Sequence, residues 1–162
     1  MRKRVLWVVL GVTLVVANLA IVGKERVLRG GQTVLLQLAP RDPRSLLQGD
    51  FMALRYVLAN EVNRQQGAER SADGRIVVSL DLNDIATFVR FDDGSAVAGG
   101  ELLLRYRKRG EGVRIASEAF FFEEGQEPLY RSARYGELRV DGAGNAVLVR
   151  LRDEDLRELG PG

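Results

Sequence analysis

In "SLLQGDFMALRY", residues 45–56, a hydroxyl and a carboxylate, Ser45 and Asp50, stand just ahead of an apolar run. Three kinds of chemistry can be built around them. Ser45 can act as a nucleophile if an amine takes its proton, and Lys108 is the one lysine beyond Lys24 at the exit of the amino-terminal apolar segment. Asp50 can mark the rim of a small-ligand site, with the guanidiniums of Arg41, Arg44 and Arg55 beside it. A plainer role is structural: the Asp50 carboxylate accepts backbone N–H bonds from the loop before it, or pairs with Arg41 or Arg44, and fixes that loop against the strand.

The sequence contains neither Cys nor His. That removes disulfides, thiol catalysis and thiolate metal sites, together with the commonest general base and the usual Zn, Cu and Ni ligand. Carboxylate pairs are the remaining catalytic material. Asp92 with Asp93, and Glu123 with Glu124, are adjacent in the chain, and neighbours on a strand point to opposite faces, so solvated turn acids describe them better than a glycosidase pair. "DLNDIATF", residues 81–88, begins like a calcium loop, but Ala86 stands where such a loop needs glycine, so strand and turn are expected. No catalytic residue, metal ligand or cofactor is assigned.

These groups must be positioned by a chain of 162 residues with 46% hydrophobic and 28% charged residues, about one globular domain. Its first part stands apart. After Arg2, Lys3 and Arg4 comes "VLWVVLGVTLVVANLAIV", residues 5–22, with no formal charge; as a helix it reaches roughly 27 Å, close to the hydrocarbon thickness of a bilayer. A cleaved secretory signal is the competing reading, but its apolar stretch is usually shorter and its exit carries a clearer small-x-small site than "VANLAIVGKE". We therefore expect residues 1–23 to be a transmembrane anchor in contact with the bilayer through residues 5–22, and residues 24–162 to be the folded domain. The cationic Arg2–Arg4 run favours a cytoplasmic amino terminus, which puts the domain outside the cytoplasm.

The anchor also reinterprets the charge. Three of the 24 cations precede residue 5 and none of the 22 acids does, so residues 23–162 carry 21 cations against 22 acids. The basic isoelectric point is then no argument for nucleic acid, and no basic patch with interleaved aromatics supports it either.

Beyond the anchor the chain reads as strands and tight turns. Residues 33–40, 50–58, 75–82, 86–91, 101–109, 113–122, 136–140 and 146–152 are rich in branched and aromatic side chains, several in alternation. Asp-Gly at 73–74, 93–94 and 141–142 is the short-hairpin signal. Residues 59–74 suit a short helix and a loop, residues 123–136 a turn of helix near Pro128, and "DEDLRELG" a short final helix. The strand at 50–58 is apolar on nearly both faces and is expected to be central, with Gly49 turning the chain into it; "AFFF", residues 119–122, is expected in the core. The fold class that follows is mainly β: an amino-terminal transmembrane helix plus an antiparallel sheet or barrel-like sandwich with one or two short helices.

Two resemblances bear on function. "GDFMALRY", residues 49–56, resembles the signature of the GDYXXLXY protein family: Gly49, Asp50, Leu54 and Tyr56 match, Phe51 replaces a tyrosine, and "PRDPRSLLQ" with Arg41, Asp42 and Arg44 resembles its lead-in. That resemblance implies a small membrane-anchored bacterial protein without assigned activity, often linked to a polytopic membrane protein. "PRSLLQGDFMALRY" is also similar to the stretch of bacterial signal peptidases that carries the catalytic Ser, but the region aligned with that Ser reads Pro40, Arg41, Asp42 here. The leading expectation is a noncatalytic, membrane-tethered module that binds or stabilises a multi-spanning membrane protein. The alternatives are an envelope hydrolase using carboxylates or Ser45 with Lys108, and a small-ligand-binding envelope domain.

Overall fold

A computed structural model of the chain describes residues 2–40, 51–65, 73–110 and 112–161. Helix α1, Arg2–Gly30, runs without a break through the apolar segment and beyond Gly23. Every side chain from Trp7 to Arg26 is exposed, and the 24 residues from Trp7 to Gly30 form a helix long and apolar enough to cross a membrane. Valines in this number do not favour a helix in water, but in hydrocarbon a helix satisfies every backbone group internally. Its two polar side chains follow the same logic: the Thr13 hydroxyl donates to the Val9 carbonyl at 2.9 Å and the Asn18 amide to the Leu14 carbonyl at 2.8 Å.

The end of α1 is fastened to the domain. Val27 is buried, the Gly31 N–H bonds the Val27 carbonyl at 2.8 Å, and the Arg139 guanidinium donates to the Gly31 carbonyl at 3.2 Å. A side chain at Gly31 would run into the Val27 carbonyl and the backbone of Val140, so glycine allows this close approach.

The domain holds two curled antiparallel sheets and a ribbon. Strands β1 (Gln32–Gln37), β8 (Tyr135–Val140), β9 (Ala146–Arg152) and β10 (Glu158–Leu159) form the first sheet, in the order β1-β8-β9-β10. The second has the order β4-β3-β5-β6, from β3 (Asp73–Leu80), β4 (Ala86–Phe91), β5 (Glu101–Arg109) and β6 (Gly112–Ile115). Strands β2 (Phe51–Ala53) and β7 (Ala119–Phe121) pair as the ribbon. Leu36, Leu138, Ile76, Val78, Leu104 and Ile115 are buried between the sheets, with Leu58, Ala59 and Val62 of helix α2 (Val57–Gln65) and Tyr130 of helix α3 (Glu127–Tyr130) closing the core. The mainly β class with an amino-terminal apolar helix and two short helices is as expected.

Hairpin turns join the sheets to each other. The turn at 81–85 gives the Asp84 carbonyl to the Leu35 N–H at 2.8 Å, and the turn at 141–145 gives the Gly144 carbonyl to the Arg105 N–H at 2.9 Å. Each sheet thus supplies an acceptor to the other. On the far face of the first sheet Glu137 is buried, and the Arg152 Nε donates to its carboxylate at 2.6 Å; Arg150 pairs with Glu158 of β10. These pairs pin the tail.

Four expectations are corrected. The strand at 50–58 is only three residues long and lies in a two-stranded ribbon, not at the centre of a sheet: Leu58, Ala59 and Val62 bury one face at helical spacing, so α2 takes over at Val57. Residues 113–122 split into β6 and β7, because Ala116 adopts a φ of 53° and turns the chain from β5 toward β2. Asp73 and Gly74 lie inside β3, where the Tyr106 ring sits over Gly74 so closely that a Cβ would collide with it. The tail is a hairpin, not a helix: β10 folds back on β9 around Asp153.

Candidate functional site

The motif is described from Phe51 onward; Arg41, Asp42, Arg44, Ser45, Gly49 and Asp50 lie outside the described residues. Its three described signature positions divide between two tasks. Leu54 and Tyr56 point inward, and Tyr56 is 2% exposed. The Tyr56 hydroxyl donates to the Ser117 carbonyl at 2.9 Å, and its ring packs over Gly136, where a Cβ would approach it to 3.2 Å. The Tyr56 carbonyl accepts the first N–H groups of α2, from Ala59 at 3.1 Å and Asn60 at 3.3 Å.

Backbone bonds complete a junction around these two side chains. Leu54 N–H reaches the Glu118 carbonyl at 2.6 Å, Ala39 N–H reaches the Arg55 carbonyl at 2.7 Å, and Leu38 bridges Tyr56. The motif therefore ties the end of β1, the start of α2 and the chain entering β7 into one point. That is an architectural role for Leu54 and Tyr56, built from main-chain pairing and a buried hydroxyl.

Phe51 has the other task. It faces outward on the ribbon and meets Phe121 across it, ring centroids 5.9 Å apart and tilted by 41°. Phe121 is 74% exposed, which departs from the expectation that all of residues 119–122 enter the core. Phe120 and Phe122 do pack inward, against Tyr130 at 5.0 and 5.3 Å. Alternation on β7 decides the difference: Phe120 takes the core face and Phe121 the outer one.

Phe121 opens onto a cleft of about 1090 Å³ between the end of α1 and the second sheet. Ala20 and Gly23 of α1 line one wall. Lys24 and Arg26 from α1, Arg105, Arg107 and Arg109 from β5, and Arg114 from β6 surround it. The sequence shows this only as "RYRKR" at 105–109, whose period of two puts Arg105, Arg107 and Arg109 on one face. What it does not show is that the end of α1 comes back to the same face, because nothing local encodes that contact.

The other candidate groups are held in turns. Asp81 Oδ1 accepts the N–H groups of Asn83 and Ile85, each at 2.8 Å, so residues 81–88 are turn and strand, as expected. Asp92 pairs with Arg75 at 2.7 Å, while Asp93 pairs with Arg90 at 2.8 Å. Bonds from the Ser95 hydroxyl and N–H hold the Asp93 carboxyl down to about 2. At Asp141 burial raises the carboxyl pKa, but the Asn145 side chain, the N–H groups of Asn145 and Ala143 and the nearby Arg105 outweigh it, so the net direction is down. Lys108 is on the face of β5 opposite the arginines. Among the described residues no group of three or more Asp or Glu side chains gathers as a metal site would require.

A family model described as GDYXXLXY protein matches residues 13–151, from the middle of α1 to β9. The chain belongs to the GDYXXLXY family. In this member the signature reads GDFMALRY, and Phe51 makes its outward contact with Phe121 through its ring. No curated protein and no solved structure matches the chain.

Proposed function

We propose that this GDYXXLXY protein is a noncatalytic module, anchored in the membrane by α1, that binds or stabilises a multi-spanning membrane protein. The observation that carries the reading is the division of labour in the motif: Leu54 and Tyr56 are buried in the fold, and Phe51 presents an exposed aromatic pair with Phe121 beside the helix. Exposed aromatics near one another are suited to be anchors of a protein contact. Phe121 shares a cleft with Ala20 and Gly23, which supports a contact near the end of the apolar segment, where a polytopic partner would present its loops and helix ends. Asn18, a polar side chain within the apolar segment, offers a second point of contact with a neighbouring helix. The Arg2–Arg4 flank favours a cytoplasmic amino terminus and an extracytoplasmic domain.

The hydrolase reading through Ser45 with Lys108 and the small-ligand reading at Asp50 turn on residues outside the described ones, and the hydrolase reading through carboxylates gains no support from Asp92 and Asp93, which pair with Arg75 and Arg90. The test is affinity purification of tagged full-length protein from its native membrane, with Phe121→Glu and an unrelated anchored protein as comparisons. One polytopic protein should be recovered in stoichiometric amount with the native chain and lost with Phe121→Glu at an unchanged unfolding midpoint. Recovery of none by a folded native chain would refute the proposal.

A further inference from the structure

The domain is close to neutral overall, yet one cleft in it is strongly basic. Six cations line the cleft beside α1, against two carboxylates, Glu118 and Asp141. Internal pairing does not account for them. Arg109 pairs with Asp73 at 3.3 Å and Arg114 with Glu118 at 3.0 Å, but Lys24, Arg26 and Arg107 have no hydrogen-bond or ion-pair partner among the described residues. Arg107 stands opposite Arg114 in the β5–β6 ladder and opposite Asp73 in the β3–β5 ladder, where Asp73 is bonded by Arg109 instead; Arg105 stands opposite Arg75, which pairs with Asp92. The cleft therefore keeps an excess of positive charge that the described residues do not pair.

An external anion resolves this arrangement, and the position of the cleft identifies its source. Ala20 belongs to the last turn of the uncharged segment that ends at Val22, and both it and Gly23 line the wall. With α1 across a bilayer, that wall lies at the level where hydrocarbon gives way to headgroups. Basic side chains at this level are attracted to anionic lipid. The cleft is large enough for a headgroup, and guanidiniums match phosphate oxygens in pairs.

We propose that the cleft formed by Lys24, Arg26, Arg105, Arg107, Arg109 and Arg114 takes the phosphate of an anionic phospholipid from the leaflet at which α1 emerges, docking the domain on the membrane surface. The inference shares with the proposed function only the requirement that α1 spans the bilayer.

The test uses the full chain, purified in a neutral detergent and offered phosphatidylglycerol and phosphatidylcholine in equal amounts, with retained lipid read by native mass spectrometry. The native chain should retain phosphatidylglycerol preferentially. In Arg107→Gln/Arg114→Gln that preference should fall roughly fivefold per cation removed, with the unfolding midpoint little changed because the Arg114–Glu118 pair that is lost is solvent-exposed. Replacing Arg2, Lys3 and Arg4 by Gln should leave the preference in place. Equal retention of both lipids by the native chain, loss of the preference only in the Arg2–Arg4 variant, or full displacement of the lipid by an equal concentration of glycerol 3-phosphate would each overturn the proposal. Carbonate extraction of native membranes separates the two readings: a chain released at alkaline pH defeats the anchor itself, whereas a retained chain without lipid preference defeats only the headgroup site.

Discussion

Tyr56 shows how a signature residue can matter without touching a ligand. Its hydroxyl gives a hydrogen bond to the Ser117 carbonyl, its ring fills the space above Gly136, and its carbonyl starts α2. Removing the hydroxyl alone in Tyr56→Phe leaves the ring in place and should lower stability by about 1 kcal/mol, measurable by denaturant unfolding of the detergent-solubilised chain. Partner capture should survive that change when the protein is assayed well below its unfolding midpoint. A Tyr56→Phe chain that is fully stable but no longer captures its partner would give the hydroxyl a direct recognition role instead. That Met52, Leu54 and Tyr56 share one face was legible from their period of two; that the other face, with Phe51 and Ala53, is exposed was not, because the run is apolar on nearly both sides. The Ser117 partner was not, since it lies 61 residues away and only the β2–β7 pairing brings it near.

At the scale of elements, one turn design recurs three times. Asp81, Asp141 and Asp153 each accept, through a side-chain oxygen, the N–H four residues on, and the residue three on has positive φ: Asp84 at 61°, Gly144 at 84°, Leu156 at 62°. Aspartate supplies the local acceptor and the hairpin follows. This design explains why "DEDLRELG" is misread as a helix: its acids look like a helix first turn, while Asp153 is in fact the turn acceptor. The strand segments themselves were legible, because β4, β5 and β9 match their apolar runs end to end. The abrupt change from β2 to α2 was not, since Met52, Leu54, Tyr56 and Leu58 continue the period of two across the boundary while Leu58, Ala59 and Val62 also satisfy a helix.

The same turns set a pH dependence. The folded pKa of Asp141 is lowered and that of Asp93 is brought to about 2, both below the unfolded value of about 3.9. A depressed carboxylate stabilises the fold above the unfolded value and loses that contribution as pH falls through the folded one. Stability should therefore decline from about pH 4 toward pH 2. Asp141→Ala should cost about 1 kcal/mol at neutral pH through its lost N–H bonds, and its gap to the native chain should narrow at acid pH. Thermal unfolding followed by circular dichroism across that range checks both; a gap that stays constant with pH would show that the carboxylate charge contributes nothing.

For the whole molecule, the decisive feature is the relation between α1 and the domain. The helix does not stop where its apolar segment ends and hang a domain on a linker; it continues to Gly30 and buries Val27, and the next residue, Gly31, accepts a bond from Arg139. The domain is thereby held against the end of α1, with Phe121 and the arginine cleft beside it and Phe51 packed on Phe121. An apolar segment of the right length was plain in the sequence, and so was the mainly β domain. The shared location of the motif's aromatic, the basic strand and the helix end was not, because it arises from contacts between residues 20–27, 105–121 and 139–148 that no local pattern records.

The account stands most directly on Phe121 being a partner contact. Replacing it with a photo-reactive phenylalanine in the full-length chain, irradiating native membranes and identifying the adduct would test this without purification. A single light-dependent adduct with one multi-spanning membrane protein is the expected result, absent when the reactive group is moved to the exposed Leu82 at the opposite turn. Adducts with lipid alone, or none from a folded and membrane-retained chain, would contradict a partner-binding role for this surface.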